Sequence, residues 1–458
     1  MSCKCCANNN EIVKMDRDHV WHHIFQHKIF ENQDPLVIVE GDGCMVKDIQ
    51  GREFLDAVSG GVWCVNVGYG RESIAKAVYE QLKQMPYYAM TAGNIPAIKL
   101  ADKMTSLLPN LQRVFYSNSG SEANEKAFKM SRQYFRMKYP EKDKYKIIFR
   151  ERDYHGTTIA ALSATGQPER KMGYEPLVPG FMGIPPAYCY RCEFGKTYPN
   201  CDIDCARALE HVIKTEGPDT VAAVIVEPIT AGGGILVPCD DYFKVLQEIC
   251  RKYEVLLIID EVVCGFARTG KWFGHQHWDV DPDMITMAKG MASSYMPLSA
   301  TVTKQGIFDQ FLNDPGDKMG YFRDISTYGG SAGACAAGLE NIRIMEDEEL
   351  CKRSEKMGNY LIESLKELES MSMVGQVRGK GLFAGVELVA DKNTKEPADE
   401  AVIAKVNGEA AAQGVLLGKM NRSVPGRNNI ITMAPALTIS KEEIDRIVTT
   451  LRNALEKI

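Results

Sequence analysis

Along the chain, short continuous apolar runs alternate with segments whose apolar positions recur at helical spacing. Helices are expected over 121–139, 205–215 and 240–253, and strands over 145–149, 221–227 and 255–260. The runs Val221-Ala222-Ala223-Val224-Ile225-Val226 and Val255-Leu256-Leu257-Ile258-Ile259 are apolar at every position, as strands buried on both faces must be. This rhythm predicts an α/β fold with a mostly parallel central sheet covered by helices. Both runs end in an acid, Glu227 and Asp260, at the carboxyl edge where open α/β sheets bind ligands. After about Gly330 the pattern changes. A long helix over 332–344 leads to alternating segments at 373–378 and 381–389 and then to two more helices, the pattern of a smaller α+β domain.

Composition narrows the function. The 458 residues exceed a single small module, and 45% hydrophobic with 25% charged positions is ordinary for a globular chain. Lys and Arg number 54 against 60 Asp and Glu, a net charge of −6 without long runs of one sign, so no nucleic-acid footprint is present. No apolar stretch approaches the ~18 residues of a membrane span. The amino terminus, Met1-Ser2-Cys3-Lys4-Cys5-Cys6-Ala7, lacks an apolar signal core, so a soluble cytoplasmic protein is expected. Fourteen cysteines are far below the ~8–10% of a disulfide scaffold and read as reduced thiols.

Four features could form one catalytic constellation. Ser117-Asn118-Ser119-Gly120-Ser121-Glu122-Ala123 joins a short strand over 113–116 to a helix; small residues at a helix N-terminus suit a phosphate, and equally an ordinary start capped by Ser121. Asp260, closing an apolar strand, needs a cationic or hydrogen-bonding partner such as a protonated pyridine nitrogen, or else caps the following turn. Lys289 follows the apolar run of 283–288 and precedes Gly290, surroundings that would desolvate an amine and favour Schiff-base chemistry, unless the side chain reaches out to solvent. Tyr154 and His155, just past a strand end, offer a ring to stack on a flat cofactor and a polar contact, or pack in the core.

In this order the four resemble the class III, or ω-amino acid, aminotransferases, pyridoxal-phosphate enzymes of fold type I. The resemblance runs from about His19 to the C-terminus and includes Gly60-Gly61-Val62-Trp63-Cys64-Val65-Asn66, Tyr154-His155-Gly156, Glu227-Pro228, Asp260-Glu261-Val262, Lys289-Gly290 and Thr327-Tyr328-Gly329-Gly330. It implies a large cofactor-binding domain over 71–328 and a small domain formed by 1–70 and 329–458. It implies that Lys289 and Asp260 are catalytic, Lys289 holding pyridoxal 5′-phosphate and Asp260 its ring nitrogen. Ser119, Gly120 and Ser121 would take the phosphate, Val262 and Tyr154 the two ring faces, and His155 and Glu227 further contacts. Thr327 would reach the cofactor phosphate of a neighbouring copy, giving a homodimer or tetramer with shared active sites.

Substrate contacts follow from the same resemblance. Trp63 and Tyr88, with Tyr87, would line the donor pocket, and Arg422, preferred over Arg427, would bind a carboxylate. The segments 19–23, 60–70 and 421–426 look most like enzymes that pass the amino group of taurine to pyruvate. β-Alanine, 4-aminobutyrate or other ω-amines are the alternatives, followed by an aminomutase or lyase and by a non-catalytic relative. No catalytic metal is expected; the spacing of Cys189, Cys192, Cys201 and Cys205 leaves a structural zinc site open.

Overall fold

The computed structural model describes residues 8–458, so the cysteines at 3, 5 and 6 and the rest of the amino-terminal heptapeptide lie outside the described residues. The central sheet has seven strands in the order Arg113–Ser117, Ser299–Thr303, Met284–Met287, Leu256–Asp260, Val221–Val226, Lys146–Arg150 and Phe181–Ile184. Only Ser299–Thr303 runs against its neighbours; the other pairings along the sheet are parallel. Every residue of Val221–Val226 and Leu256–Asp260 is buried, as their unbroken apolar pattern requires. The helices expected over 121–139, 205–215 and 240–253 appear as Gly120–Lys138, Asp204–Glu216 and Tyr242–Lys252.

The carboxyl-terminal part carries a second sheet, in which Ala384–Asp391 lies between Val374–Gly379 and Ile430–Met433, with Gly418–Lys419 at the edge. A third sheet joins the two ends of the chain: Ile38–Asp42, Met45–Asp48 and Glu53–Asp56 form a meander, and Val415–Leu416 adds to it in parallel, Val415 opposite Leu55. One buried apolar cluster runs from Leu55 through Ile148 and Phe266 to Ile431, so the lobes share a core.

By packing, the helix Ala332–Asp347 goes with the larger lobe, although it lies past the expected boundary near 328. It rests on Glu72–Gln84 and Ile95–Leu107, and its small residues permit the close approach: a Cβ on Gly333 would stand 3.0 Å from the Leu82 side chain and one on Gly338 3.1 Å from that of Leu100. The sequence pattern there marked a change of rhythm, whereas side-chain volume decides which body the helix joins. Among the described residues no helix is long and apolar enough to cross a membrane.

A buried ionic group ties the 185–205 loop to the carboxyl-terminal sheet. Glu387, fully buried on Ala384–Asp391, accepts from Arg191 Nε at 2.6 Å, from Arg378 Nη1 at 2.7 Å and from the Tyr188 hydroxyl. Burial alone would raise this carboxyl, but Arg378, Tyr188 and Arg191 more than offset it and hold its pKa below the usual glutamate value. A depressed folded pKa adds stability that is present above the unfolded value of 4.5 and is lost as pH falls through the folded one. Glu387→Gln is therefore expected to destabilise the protein by about 3–5 kcal/mol near neutral pH, the cost of stranding buried guanidinium groups. Thermal unfolding should show that deficit shrinking below pH 4.5; a deficit independent of pH would contradict the ionic reading.

Candidate active site

The strand ends converge. Arg113–Ser117, Lys146–Arg150, Val221–Val226, Leu256–Asp260 and Met284–Met287 share a direction, so the segments after them meet at one sheet edge. These carry Ser119 to Ser121, Tyr154 and His155, Glu227, Asp260 with Val262, and Lys289. Residues scattered over 170 positions meet there because parallel strands place all their carboxyl ends on one side.

Asp260 is 2% exposed and fully hydrogen-bonded. Its Oδ2 accepts from Asn124 Nδ2 at 2.8 Å and lies 2.8 Å from His155 Nδ1, while Oδ1 accepts from the Val262 amide at 3.0 Å. Asn124 also donates to the His155 carbonyl at 2.6 Å and accepts from the Thr286 hydroxyl at 2.6 Å. It thus locks the acid to the helix Gly120–Lys138. Asn124 lies in the Ser-Gly-Ser-Glu-Ala-Asn turn, three residues after Ser121, and that helical spacing was its only sign in the sequence. His155 Nε2 is buried without a partner.

The turn before that helix is capped by Ser119, one residue before Gly120, instead of by Ser121. Ser119 Oγ accepts from the Glu122 amide at 3.3 Å, and Ser121 Oγ instead accepts from the Thr157 amide at 3.1 Å. Within the described residues no acceptor takes up the amides of Gly120 or Ser121, which therefore remain available to an anion. The turn is tightly built. A Cβ on Gly120 would stand 2.9 Å from Val262, and one on Gly156, whose φ is 140°, would stand 2.3 Å from Ser121 Oγ.

Lys289 lies in a cleft of about 860 Å³ with Trp63, Tyr154, Tyr69 and Arg170. Its φ of 40° is unusual for a side-chain-bearing residue, and its Nζ sits 5.3 Å from the Trp63 ring centroid with no carboxylate in ion-pair reach among the described residues. Gly60 and Gly61, at φ of 78° and 80°, carry the turn that presents Trp63, which packs edge-on to Phe383 at 5.6 Å.

Glu227 stays at this edge, whereas Arg422, Arg427, Tyr88 and Thr327 do not line the cleft. Glu227 is buried and accepts from the backbone amides of Tyr154 at 2.9 Å and Ala231 at 3.1 Å. Burial first, then Asp153 and Asp260, push its carboxyl well above the ordinary value. Arg422 is exposed and does not line the Lys289 cleft, and Arg427 lines a separate cavity beside Arg152 and Lys171. Tyr88 is exposed outside the cleft, and Thr327 is exposed with its carbonyl accepting from Tyr87 Oη at 2.8 Å. Cys189, Cys192, Cys201 and Cys205 line one small cavity together with Cys239, whose hydrogen bond lowers the Cys189 thiol to about 7. Among the described residues no three Cys, His, Asp or Glu side chains are grouped to hold a metal ion.

The unpartnered His155 nitrogen, the free Gly120 and Ser121 amides and an amine without a counter-ion fit a phosphorylated, aldehyde-bearing ring compound. Comparison with known proteins agrees. The family described as Aminotransferase class-III matches residues 29–455. The chain is 53% identical over 449 residues to the taurine–pyruvate aminotransferase of Bilophila wadsworthia, covering 98% of this chain and 97% of that one. It is 50% identical over 450 residues to the hypotaurine/taurine–pyruvate aminotransferase of Paracoccus denitrificans, with the same two coverages. A crystal structure of a Bacillus anthracis aminotransferase superposes with a TM-score of 0.94 at 45% identity, over 100% of both chains. This chain belongs to the class III aminotransferases, enzymes that use pyridoxal 5′-phosphate to move an amino group from an amine donor to a 2-oxo acid.

Proposed function

We propose that this enzyme transfers the amino group of taurine to pyruvate, giving sulfoacetaldehyde and alanine. The observation that carries this reading is 53% identity, over 98% of the chain, to an enzyme named for that reaction. The cleft suits it. Its walls include Trp63 and Val62, and its one acid, Asp56, is already taken up by the amides of Val58 and Gly60 and the Tyr69 hydroxyl, so an anionic donor meets no free carboxylate.

In this reading Lys289 Nζ would hold the cofactor and, once freed by the donor, would move a proton between the amine-bearing carbon and the cofactor's aldehyde-derived carbon, in one direction for the donor and in the reverse direction for the acceptor. Bound pyridoxal phosphate supplies an aldehyde that takes the amine covalently and a protonated ring that accepts the electron pair left on carbon. Asp260 keeps that proton on the ring nitrogen, and Asn124 and His155 hold Asp260 in place. Gly120 and Ser121 offer their amides to the phosphate, with Ser119 fixing the turn. Val262 and Tyr154 bound the ring on its two faces, and Trp63 limits the donor's size. Glu227, held by two backbone amides, orients the Tyr154 segment.

The same reading makes the enzyme a dimer in which Thr327 serves the phosphate site of a neighbouring copy. Exposed Leu82, Tyr87, Met90 and Tyr328 support it: Met90 lies against Gly330, and Tyr87 meets Tyr328 at a centroid distance of 5.8 Å beside Thr327. Such an apolar band on a surface marks an interface.

Two outcomes test these roles. Purified protein supplied with pyridoxal phosphate should absorb in the visible and form alanine from taurine and pyruvate. Borohydride should bleach the wild-type band and leave the reduced cofactor attached through dialysis, whereas Lys289→Ala should retain none, and its alanine formation should fall at least ~10²–10⁴-fold; a wild-type protein that stays colourless would overturn the reading. Asp260→Asn should keep the cofactor yet slow the taurine half-reaction by more than ~10²-fold, as measured by stopped-flow bleaching of the visible band.

A further inference from the structure

The cleft holds a second cation that the sequence patterns did not single out. Arg170 lies on the one-turn helix Pro168–Lys171, and its side chain enters the cleft shared by Lys289, Trp63 and Tyr154. Every polar contact of its guanidinium is neutral. Nε donates to Gln167 Oε1 at 3.2 Å, Nη2 donates to the Asn421 carbonyl at 3.1 Å, and Cζ sits 5.2 Å from the centroid of the Tyr154 ring. Gln167 is fully buried and anchored through its Nε2 to the Arg152 carbonyl at 2.9 Å, so the arginine is held from behind by a fixed amide. The adjacent Glu169 does not pair with it, since its Oε2 accepts from Asn428 Nδ2 at 3.0 Å. Nη1 has no acceptor within the described residues and is not among the buried unpartnered atoms, so it stays accessible.

A half-buried arginine without an acid is costly unless an anion completes it. Burial lowers its pKa below the usual arginine value, as expected of a cation lacking a close counter-ion. The guanidinium remains charged and presents a planar fork suited to an oxyanion.

Building on the taurine reading, we infer that Arg170 is the residue that binds the donor's sulfonate, with Gln167 as the positioning residue that aims it. A sulfonate oxygen would accept from Nη1, replacing water, and the amine end of the same small donor would then lie in the cleft that carries Lys289. The arrangement favours donors with an anion at the end opposite the amine. The other cleft cations are placed differently: Lys419 is exposed at a strand edge, and Lys289 is committed to the cofactor in this reading.

The test uses the holoenzyme and two probes. The first is 2-hydroxyethanesulfonate, which carries the sulfonate but no amine and cannot react; its Kd is read by calorimetry. The second is the single-turnover bleaching of the cofactor band by taurine alone, without pyruvate, compared with bleaching by alanine and by a neutral primary amine. Arg170→Gln should weaken both sulfonate probes roughly 10- to 100-fold, as loss of a charge-assisted hydrogen bond does, while leaving the neutral amine within about twofold. Arg170→Lys should recover part of the affinity, and both variants should keep the cofactor's visible absorbance, which reports an intact fold. If alanine also weakens tenfold in Arg170→Gln, the same fork additionally receives a carboxylate, and the sulfonate assignment stands on the 2-hydroxyethanesulfonate result. Unchanged sulfonate affinity in Arg170→Gln, or a loss seen only in Arg422→Gln, overturns the inference and leaves the taurine reading intact. A wild-type enzyme that neither binds 2-hydroxyethanesulfonate nor is bleached by taurine overturns both.

Discussion

The candidate site depends on one buried carboxylate. Asp260 closes a strand that is buried on both faces, and a charge there is stable only if each oxygen is occupied. Asn124 from the helix Gly120–Lys138, His155 from the loop after the strand Lys146–Arg150 and the Val262 amide provide that occupation. In doing so they tie the turn before the helix Gly120–Lys138, the segment that carries Tyr154 and His155, and the strand end to a single point. Any group that requires a negative charge at this depth is met by an acid already held in position, so the site is rigid before anything binds.

Around that point the chain uses tight backbone geometry in place of bulk. Gly120 and Gly156 bring the helix start and the 154–158 segment within contact of Val262 and Ser121, where any side chain would collide. Gly60 and Gly61 take left-handed conformations so that Trp63 can cover the Lys289 amine. The shape of the cleft therefore comes from where the backbone is allowed to go, and the identity of the donor from the few side chains that enter it.

The Glu387 group plays a comparable part at a distance. It joins the 185–205 loop to the carboxyl-terminal sheet through two arginines and a tyrosine, so the two lobes are fastened by charge as well as by the continuous apolar core. The cysteine-bearing loop is held by this group and by the Cys189–Cys239 contact.

Much of this was legible in the residues themselves. Strands buried on both faces announce themselves as unbroken apolar runs, so the parallel sheet and the position of Glu227 and Asp260 at its carboxyl edge could be read locally. What lay beyond local reading were the partnerships. Asn124 and Gln167 are polar residues whose roles exist only because distant segments pack against them. The helix Ala332–Asp347 joins the larger lobe because of the side chains it meets. Arg422 stood out as an arginine in a suggestive loop, yet it faces outward, while Arg170, in an unremarkable sequence context, enters the cleft. Periodicity is a property of neighbours along the chain, whereas the direction of a long charged side chain is set by neighbours in space, and only the tertiary structure decides those.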